Sequence, residues 1–210
     1  MQHQFFEEIK RAASAVSPGP LPQFTLPHLI KAITLIGEMK GIGRKRVSEI
    51  MGIGEGTART MIQRLQDLGL IEVSRGGCKL TSKGEEVYES LRRLIQGPFT
   101  VKMSGVWEYS ANVGVLIRGA SKLIKYGIEQ RDAAVRYGAK GALTVIRQDG
   151  RLVMPGSSDV TSEYPVFADS LERTFRPRDG DVIIIVGAAD ELKAELGAIA
   201  AILVTLGLES

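Results

Sequence analysis

The chain contains few of the residues from which disulfides, metal sites and membrane helices are built. Cys78 is the single cysteine among 210 residues, so no internal disulfide can form and a cytoplasmic location is expected. The two histidines, His3 and His28, leave little material for a metal site, and no metal or other cofactor is expected. The uncharged apolar run near the C-terminus, residues 196–208, has 13 residues, whereas a bilayer helix needs about 20. A soluble protein without a membrane partner is therefore predicted.

Catalytic signatures are also missing from the sequence. No Ser/His/acid set can be assembled in the second half, because neither histidine falls there. The string Gly-Ile-Gly-Glu-Gly at 52–56 follows a helical pattern rather than a strand, which excludes a dinucleotide-binding reading. We predict no catalytic residues and no enzymatic activity.

Charge is distributed unevenly along the chain. The net charge is +3, from 27 Lys and Arg against 24 Asp and Glu. Residues 1–97 hold 14 basic and 10 acidic side chains, a net of +4, whereas residues 98–210 hold 13 and 14, a net of −1. The basic excess therefore lies in the first half, where a polyanionic partner would require it.

The pattern of prolines and glycines divides the chain into three parts. Residues 1–24 are predicted to form a short amphipathic helix, over about 5–15, and a Pro-rich connector, since four of the eight prolines lie in 17–27. Residues 25–97 are predicted to form the first domain, which the pair Gly97-Pro98 closes. Residues 104–210 are predicted to form the second.

Helical and strand periodicities alternate in a recognisable order in the first domain. Apolar spacing predicts helices over about 27–39, 55–68 and 83–95, and a further helix-like segment after the glycine turn that opens residues 41–51. Strand character at 70–74 and 78–82, around the turn signal Gly76-Gly77, predicts a hairpin before the last helix. Two glycine-led copies, GIGRKRVSEIM and GIGEGTARTMI, start only 11 residues apart, too close for two helix-hairpin-helix units of the repair-protein type.

This order of elements resembles a winged helix-turn-helix domain. The stretch VSEIMGIGEGTARTMIQRLQDLGLIEVSRGGCKLTSKGEEV, residues 47–87, is similar to many prokaryotic transcriptional regulators, including its Leu-Thr-x-Lys-Gly ending. The resemblance covers about residues 25–97 and implies double-stranded DNA as the partner. Winged helices also serve as RNA-binding or protein-interaction modules, and that alternative remains open.

Three groups of side chains are predicted to contact DNA. The polar side of the helix over 55–68 presents Gly56, Asp67 and the candidate contacts Thr57, Arg59, Thr60, Gln63 and Arg64. Arg59 suits guanine and Gln63 adenine in the major groove. Phosphate contacts are predicted for Arg44, Lys45 and Arg46 at a helix N-terminus, and wing contacts for Arg75 and Lys79. The alternative is that these are ordinary solvated charges.

The lone cysteine lies in the predicted hairpin. Cys78 beside Lys79 could act as a redox-sensing thiol. Because the chain has no resolving cysteine, we expect an incidental, exposed thiol instead.

The second half is predicted to be an α+β, two-layer domain. Strands are expected at 113–119, 142–148, 151–155 and 181–187, with an Asp149-Gly150 hairpin, and helices near 128–138, 166–175 and 190–207. The sheet should be mainly antiparallel or mixed, with helices on one face. The DGD string at 179–181 is interpreted as a turn rather than a metal or acid-base pair.

This domain is expected to bind an effector, to dimerise, or both. The last helix, which Asp190 caps, is uncharged after Glu195 and must be buried in the core or against a second copy in a homodimer. Weak candidates for a small-molecule effector site are Arg131, Asp132, Arg136, Ser157 and Ser158. A solvated helix face and an ordinary loop are the plainer interpretations.

The whole chain is similar to uncharacterised archaeal proteins with a winged-helix head and a small α+β tail, through its GIEQRDAA, GAKGA and PG strings. Archaeal riboflavin kinases share the head, but their Pro-x-Thr-Leu-Asn signature is missing, as are the metal ligands of iron-dependent repressors. We therefore predict a transcriptional regulator with a ligand-sensing or dimerisation domain. The alternatives are a small-metabolite enzyme fused to a winged helix, or an RNA- or protein-interaction module.

Overall fold

The computed structural model describes residues 9–11, 13, 23–103, 105–156 and 159–208. The chain divides between Arg92 and Arg93 into two compact units, which are described separately below. Of the helix predicted over 5–15, the described residues are helical, and Ile9 is buried. The remainder of that prediction, and most of the Pro-rich connector, lies outside the described residues.

From residue 23 onward, the described part of the N-terminal unit consists of three helices, a hairpin and a fourth helix. Its elements are α1 (Leu26–Met39), α2 (Arg44–Met51), α3 (Glu55–Asp67), β1 (Ile71–Ser74), β2 (Gly77–Leu80) and α4 (Ser82–Leu94). The predicted order is confirmed, because each helix has apolar residues at 3.6-residue spacing that find a common core. Not every apolar residue of this spacing is buried: Ile50, Leu68, Leu91 and Leu94 are half-buried, and Met39 is exposed.

The C-terminal unit is built on one five-stranded sheet. Its elements are β3 (Ile95–Thr100), β4 (Ala111–Ile117), α5 (Ile128–Arg136), β5 (Ala139–Gln148), β6 (Arg151–Val153), α6 (Val160–Glu163), α7 (Pro165–Phe175), β7 (Val182–Ala188) and α8 (Glu191–Thr205). The strand order is β3-β4-β7-β5-β6, and every pairing of these strands is antiparallel. The α+β class is confirmed.

The predicted Asp149-Gly150 turn joins β5 to β6. Gln148 pairs with Arg151, so the loop has two residues, and both have positive φ, 48° and 75°. A two-residue hairpin with this backbone matches the right-handed twist of the strands, and Asp-Gly adopts it at low cost.

Helices cover both faces of the sheet, giving three layers where the sequence led us to expect two. One core joins the sheet to α5 and α8, and includes Val115, Ile184 and Ala198; the other, with Leu116, Ile185 and Phe167, packs against α6 and α7. Every residue of the central strand β7 is buried. Its unbroken apolar run is typical of a strand covered on both sides.

The strand β3 was not predicted. The pair Gly97-Pro98, which was expected to close the first domain, lies within β3, which pairs with β4 around an irregularity between Gln96 and Phe99. Gly97 has φ +106°, and a Cβ there would lie 2.7 Å from the backbone oxygen of Gly114. Glycine is therefore required by close strand contact rather than by a domain boundary.

The DGD string forms the turn before β7, as predicted. The buried Asp181 carboxylate accepts hydrogen bonds from the amides of Gly119 and Arg178, both at 2.9 Å, and from Arg118 Nη1 at 2.6 Å. Burial by itself raises the pKa of Asp181, but these hydrogen bonds and the Arg118 charge outweigh it and lower the pKa. The aspartate thus joins the ends of β4 and β7.

Helix α8 begins at the predicted cap, where the Asp190 carboxylate accepts from the Lys193 amide at 2.9 Å. Its uncharged part packs inside its own unit, with Ala194, Ala198 and Ala201 fully or almost fully buried. Burial in the core of its own unit is therefore sufficient to explain why α8 is uncharged after Glu195.

Candidate nucleic-acid interface

Helix α3 presents one open polar face. Its buried side holds Ala58, Met61, Ile62 and Leu65, and its exposed side holds Gly56, Arg59, Thr60, Gln63 and Asp67. Nothing lies within 4 Å of a Cβ built on Gly54 or Gly56. The N-terminal end of the helix is therefore accessible to a large ligand down to its backbone.

Five exposed cations of the N-terminal unit have no acidic partner among the described residues. Within the described residues, Arg44, Lys45, Arg59, Arg75 and Lys79 make no ion pair, whereas Arg46 Nη1 pairs with Glu49 at 3.1 Å. An exposed cation without an intramolecular partner keeps its charge available to an external anion. We call these five residues the basic set.

Two of the predicted contacts on α3 already make hydrogen bonds within the helix. Gln63 Nε2 donates to Asp67 Oδ1 at 2.9 Å, and Thr60 Oγ1 donates to the Gly56 carbonyl at 3.1 Å. The Gln63 amide is thereby oriented along the exposed face. It would have to exchange Asp67 for a base edge on binding.

The segment before α1 lies against one flank of α3, which the sequence did not reveal. Thr57 Oγ1 donates to Gln23 Oε1 at 3.2 Å, and the Arg64 guanidinium lies 5.2 Å from the centre of the buried Phe24 ring. Cation–π contact and a hydrogen bond therefore fix Thr57 and Arg64 to this segment. In the sequence, the indication of this contact is one apolar residue, Phe24, between two prolines.

The hairpin has a third strand-like partner. Ile42 and Cys78 exchange backbone hydrogen bonds of 3.1 and 2.8 Å, which join the loop before α2 to β2. The turn itself consists of Arg75 and Gly76, both exposed. Arg75 is thus placed at the tip of a short, well-anchored wing.

Cys78 is buried, so the expectation of an exposed thiol is wrong. Its side chain is fully buried, and its backbone pairs with β1 on one edge and with Ile42 on the other. Burial raises the pKa of the thiol, and the charge of Arg44 only partly offsets this. A raised pKa disfavours the thiolate that redox sensing requires.

The Leu-Thr-x-Lys-Gly string holds the C-terminal end of α3 in place. Thr81 Oγ1 donates to the Gly69 carbonyl at 2.6 Å and accepts from the Gly84 amide at 3.1 Å, and Lys83 Nζ donates to the Leu68 carbonyl at 3.0 Å. Thr81 therefore caps α4 while satisfying a carbonyl just beyond α3. The string positions the exposed helix relative to the hairpin.

A capping box containing a histidine begins α1. His28 Nδ1 accepts from the Thr25 amide at 3.2 Å and lies 2.9 Å from Thr25 Oγ1. Burial lowers the pKa of His28 below its ordinary value of 6.5. The neutral imidazole is the form that can accept this hydrogen bond.

We predict that the N-terminal unit loses stability as the pH falls through 6.5. The unfolded chain then binds a proton that folded His28 resists, so the free energy of unfolding falls by at most about 1.4 kcal/mol per pH unit. Urea unfolding followed by circular dichroism between pH 7.5 and 5 measures this. In H28Q, whose amide can keep the capping box, that component of the pH dependence should disappear. Parallel profiles for the two proteins would contradict the assignment.

Three of the candidate effector residues are exposed on one helix, and the other two are not described. Arg131 and Asp132 are exposed and pair with each other, with Arg131 Nη2 at 2.9 Å from Asp132 Oδ1, and Arg136 is exposed on the same helix, α5. Ser157 and Ser158 lie outside the described residues. The effector site stays a prediction.

Two features are absent from the described part of the chain. No group of three or more His, Cys, Asp or Glu side chains there could hold a metal ion. No helix in that part is long and apolar enough to cross a membrane.

The two halves of the chain are similar to two different protein families. Residues 29–95 match the CggR N-terminal DNA binding domain, and residues 109–206 match a domain of unknown function, DUF4443. No protein of curated function matches the chain significantly. The N-terminal unit is thus similar to the DNA-binding domain of a transcription regulator, which confirms the resemblance found in its sequence.

A solved structure is similar to this chain over both of its halves. A hypothetical protein from Pyrococcus horikoshii OT3 is 29% identical in sequence with a TM-score of 0.71. The match covers 88% of this chain and 94% of that chain. The similarity to archaeal two-domain proteins is therefore confirmed along most of the chain.

Proposed function

We propose that this protein is a sequence-specific, double-stranded-DNA-binding transcriptional regulator that acts as a homodimer. The observation that carries the proposal is the open polar face of α3, in a unit that is similar to a DNA-binding domain and also holds the basic set. The C-terminal unit would serve for dimerisation, ligand sensing, or both.

In this proposal α3 enters the major groove. Arg59 would donate two hydrogen bonds to guanine, and Gln63 would pair with adenine after releasing Asp67. The small residues Gly54 and Gly56 let the helix N-terminus approach the bases closely. Thr60 and the flank formed by Thr57 and Arg64 would contact the edges of the site.

The rest of the basic set would hold the DNA backbone. Arg44 and Lys45 are in the first turn of α2, where free amides and cationic side chains both favour phosphate. Arg46 would join them by releasing Glu49. Arg75 and Lys79 of the wing would reach a neighbouring phosphate or the minor groove.

We expect K45A to weaken binding to all duplex sequences by a similar factor. Loss of one phosphate contact should lower the slope of log K against log salt by about 0.9. Fluorescence anisotropy on two unrelated duplexes, at several salt concentrations, measures both effects. K122A, which removes an exposed lysine of the C-terminal unit, is the matched control and should behave as wild type. An unchanged salt slope in K45A would remove Lys45 from the interface.

A competition experiment separates DNA from the RNA alternative. Labelled duplex DNA bound to the full-length protein is challenged with unlabelled duplex DNA or with RNA of the same sequence and length. We expect DNA to compete at lower concentration, because the major groove of A-form RNA is too deep and narrow for a helix. More effective competition by RNA would contradict the proposal.

The role proposed for the C-terminal unit has its own test. A ligand-sensing domain should be stabilised by a metabolite without consuming it, because a ligand that binds only the folded state raises the melting temperature. A thermal-shift screen of metabolites, followed by analysis of each stabilising compound for turnover, distinguishes a sensor from the enzyme alternative.

A further inference from the structure

Three buried polar side chains lie around the first turn of α5. Five polar or charged side chains are buried in the described part of the chain, and Gln130, Thr144 and Thr205 are three of them, each 5% exposed or less. Gln130 is on the core side of α5, Thr144 is in β5, and Thr205 is the last residue of α8. Burying a polar group is costly unless a hydrogen bond compensates it, so each of these side chains requires partners.

The Thr144 side chain is on the α5 side of the sheet. Thr144 is paired with Ile184 of β7, and residues directly opposite each other in an antiparallel pair share one face of the sheet. Ile184 belongs to the core that joins the sheet to α5 and α8. Thr144 Oγ1 lies 3.0 Å from the position that a Cβ on Gly127 would occupy. The hydroxyl is therefore directly against the residue that precedes α5.

The Gln130 amide is held in one orientation. Thr205 Oγ1 donates to the Ala201 carbonyl at 2.7 Å, so its one hydrogen is used and it can only accept from Gln130. Gln130 therefore turns its NH₂ group to Thr205, with Nε2 at 3.1 Å from Thr205 Oγ1. The amide oxygen, Gln130 Oε1, needs a different partner.

Two buried atoms of this group have no partner. Gln130 Oε1 and Thr144 Oγ1 are both buried and make no hydrogen bond among the described residues. Positions three apart on a helix share a face, with Cβ atoms about 5–6 Å apart, so Gln130 leaves α5 on the side where Gly127 contacts Thr144. One small group between the two side chains can therefore satisfy both atoms.

The chemistry of the two atoms limits what can bind between them. An amide oxygen only accepts, so the bound group must donate a hydrogen bond to Gln130 Oε1, whereas the Thr144 hydroxyl can donate or accept. An anion such as a phosphate or carboxylate lacks that donor. A cation would be buried without a counter-charge, because none of the three polar side chains is acidic. An uncharged donor remains, and O–H is the smallest group of this kind.

We propose that Gln130 and Thr144 form an internal binding site for one O–H group, which donates to Gln130 Oε1 and hydrogen-bonds to Thr144 Oγ1. Its source is an internal water molecule or the hydroxyl of a small molecule, and the site does not depend on DNA binding by α3. In the second case the inference rests on the ligand-sensing role proposed above. The effector would then bind on the buried side of α5, rather than at the exposed residues Arg131, Asp132 and Arg136.

A high-resolution crystal structure of the full-length protein tests the site directly. We expect electron density for an oxygen at about 2.5–3.0 Å from both Gln130 Oε1 and Thr144 Oγ1. An isolated peak, with no mass added to the 22.8 kDa chain in native mass spectrometry, identifies water as the source. Density that continues beyond the oxygen, together with added mass, identifies a small molecule. No density, or a direct hydrogen bond between the two side chains, would overturn the proposal.

T144V measures the site in solution, because valine replaces only the hydroxyl by a methyl group. If the hydroxyl bonds to a bound group, T144V should lower the melting temperature of the C-terminal unit by about 4 °C, the effect of about one lost hydrogen bond. Trp107, the one tryptophan of the chain, belongs to this unit and reports its unfolding by fluorescence. A hydroxyl without a partner gives the opposite sign, since its removal relieves a cost. A melting temperature equal to or above that of wild type would thus contradict the proposal.

T205V and T144S are the matched controls. The Thr205 hydroxyl has two partners in the structure, so T205V should lower the melting temperature and calibrates the loss of a satisfied hydroxyl. T144S keeps the hydroxyl, so its crystal structure should still contain the bound oxygen, whereas that of T144V should not. An oxygen still bound to Gln130 Oε1 in T144V would remove Thr144 from the site.

Discussion

R59A should lose about 1–3 kcal/mol of binding free energy at the cognate DNA site, roughly a 5- to 150-fold loss of affinity. Arg59 is exposed on α3 and makes no ion pair within the described residues, so its guanidinium is available for two hydrogen bonds to guanine. Binding to unrelated DNA should change less. The variant should therefore lose specificity along with affinity, as measured by anisotropy on cognate and scrambled duplexes.

Two control variants separate base reading from charge. R59K keeps the positive charge but lacks the planar fork, so it should keep the salt dependence of wild type and still lose discrimination. K45A should show the opposite behaviour, with weaker binding, a lower salt slope and unchanged discrimination. If R59K discriminates as well as wild type, Arg59 is a phosphate contact and the assignment of α3 as the reading helix is wrong.

G84A should destabilise the N-terminal unit by about 3 kcal/mol, although alanine in a helix is normally better than glycine. A Cβ on Gly84 would lie 2.0 Å from the backbone oxygen of Leu70. That oxygen accepts the Thr81 amide hydrogen bond at 3.0 Å and cannot move without disturbing the junction of hairpin and α4. Overlap with backbone is costly because no flexible side chain can yield.

G56A is the matched control for this substitution. Gly56 is also in the first turn of a helix, but nothing lies within 4 Å of its Cβ position. We expect unchanged or higher stability, by up to about 1 kcal/mol, from helix propensity alone. Urea unfolding of both variants measures the contrast. Equal stabilities would contradict the role of Gly84 in the close packing at Leu70.

Features set by short stretches of sequence were predictable. Helix α3 was located to within a residue of its end, because Ala58, Met61, Ile62 and Leu65 repeat at helical spacing. The Asp149-Gly150 hairpin and the Asp190 cap follow from the backbone preferences of two or three residues. The same helical spacing predicts the polar face of α3, because the residues opposite the apolar ones must share one side of the helix.

Features that depend on distant pairing were not predictable. β3 exists because Gly97 packs against β4, and its Gly-Pro pair has the appearance of a linker in the sequence alone. The pairing of Cys78 with Ile42, 36 residues earlier, is another contact of this kind. The attachment of Thr57 and Arg64 to Gln23 and Phe24 likewise joins segments that are far apart in sequence. Periodicity carries no information about such contacts.

The second layer of helices was not predicted, because it also depends on contacts between distant segments. A strand with an unbroken apolar run, such as β7, can be covered on both faces, but its sequence does not name the covering elements. The two cores become distinguishable only when alternate residues of β4, β5 and β7 are placed on opposite sides of one sheet.

Selection of bound fragments from a random duplex library, carried out in parallel with wild type and R59A, shows whether α3 reads bases through Arg59. We expect wild type to enrich one motif, and R59A to lose the preference for guanine at one position of each half-site while keeping the rest. Retention of the full wild-type motif by R59A, or enrichment of no motif by wild type, would contradict that role of α3.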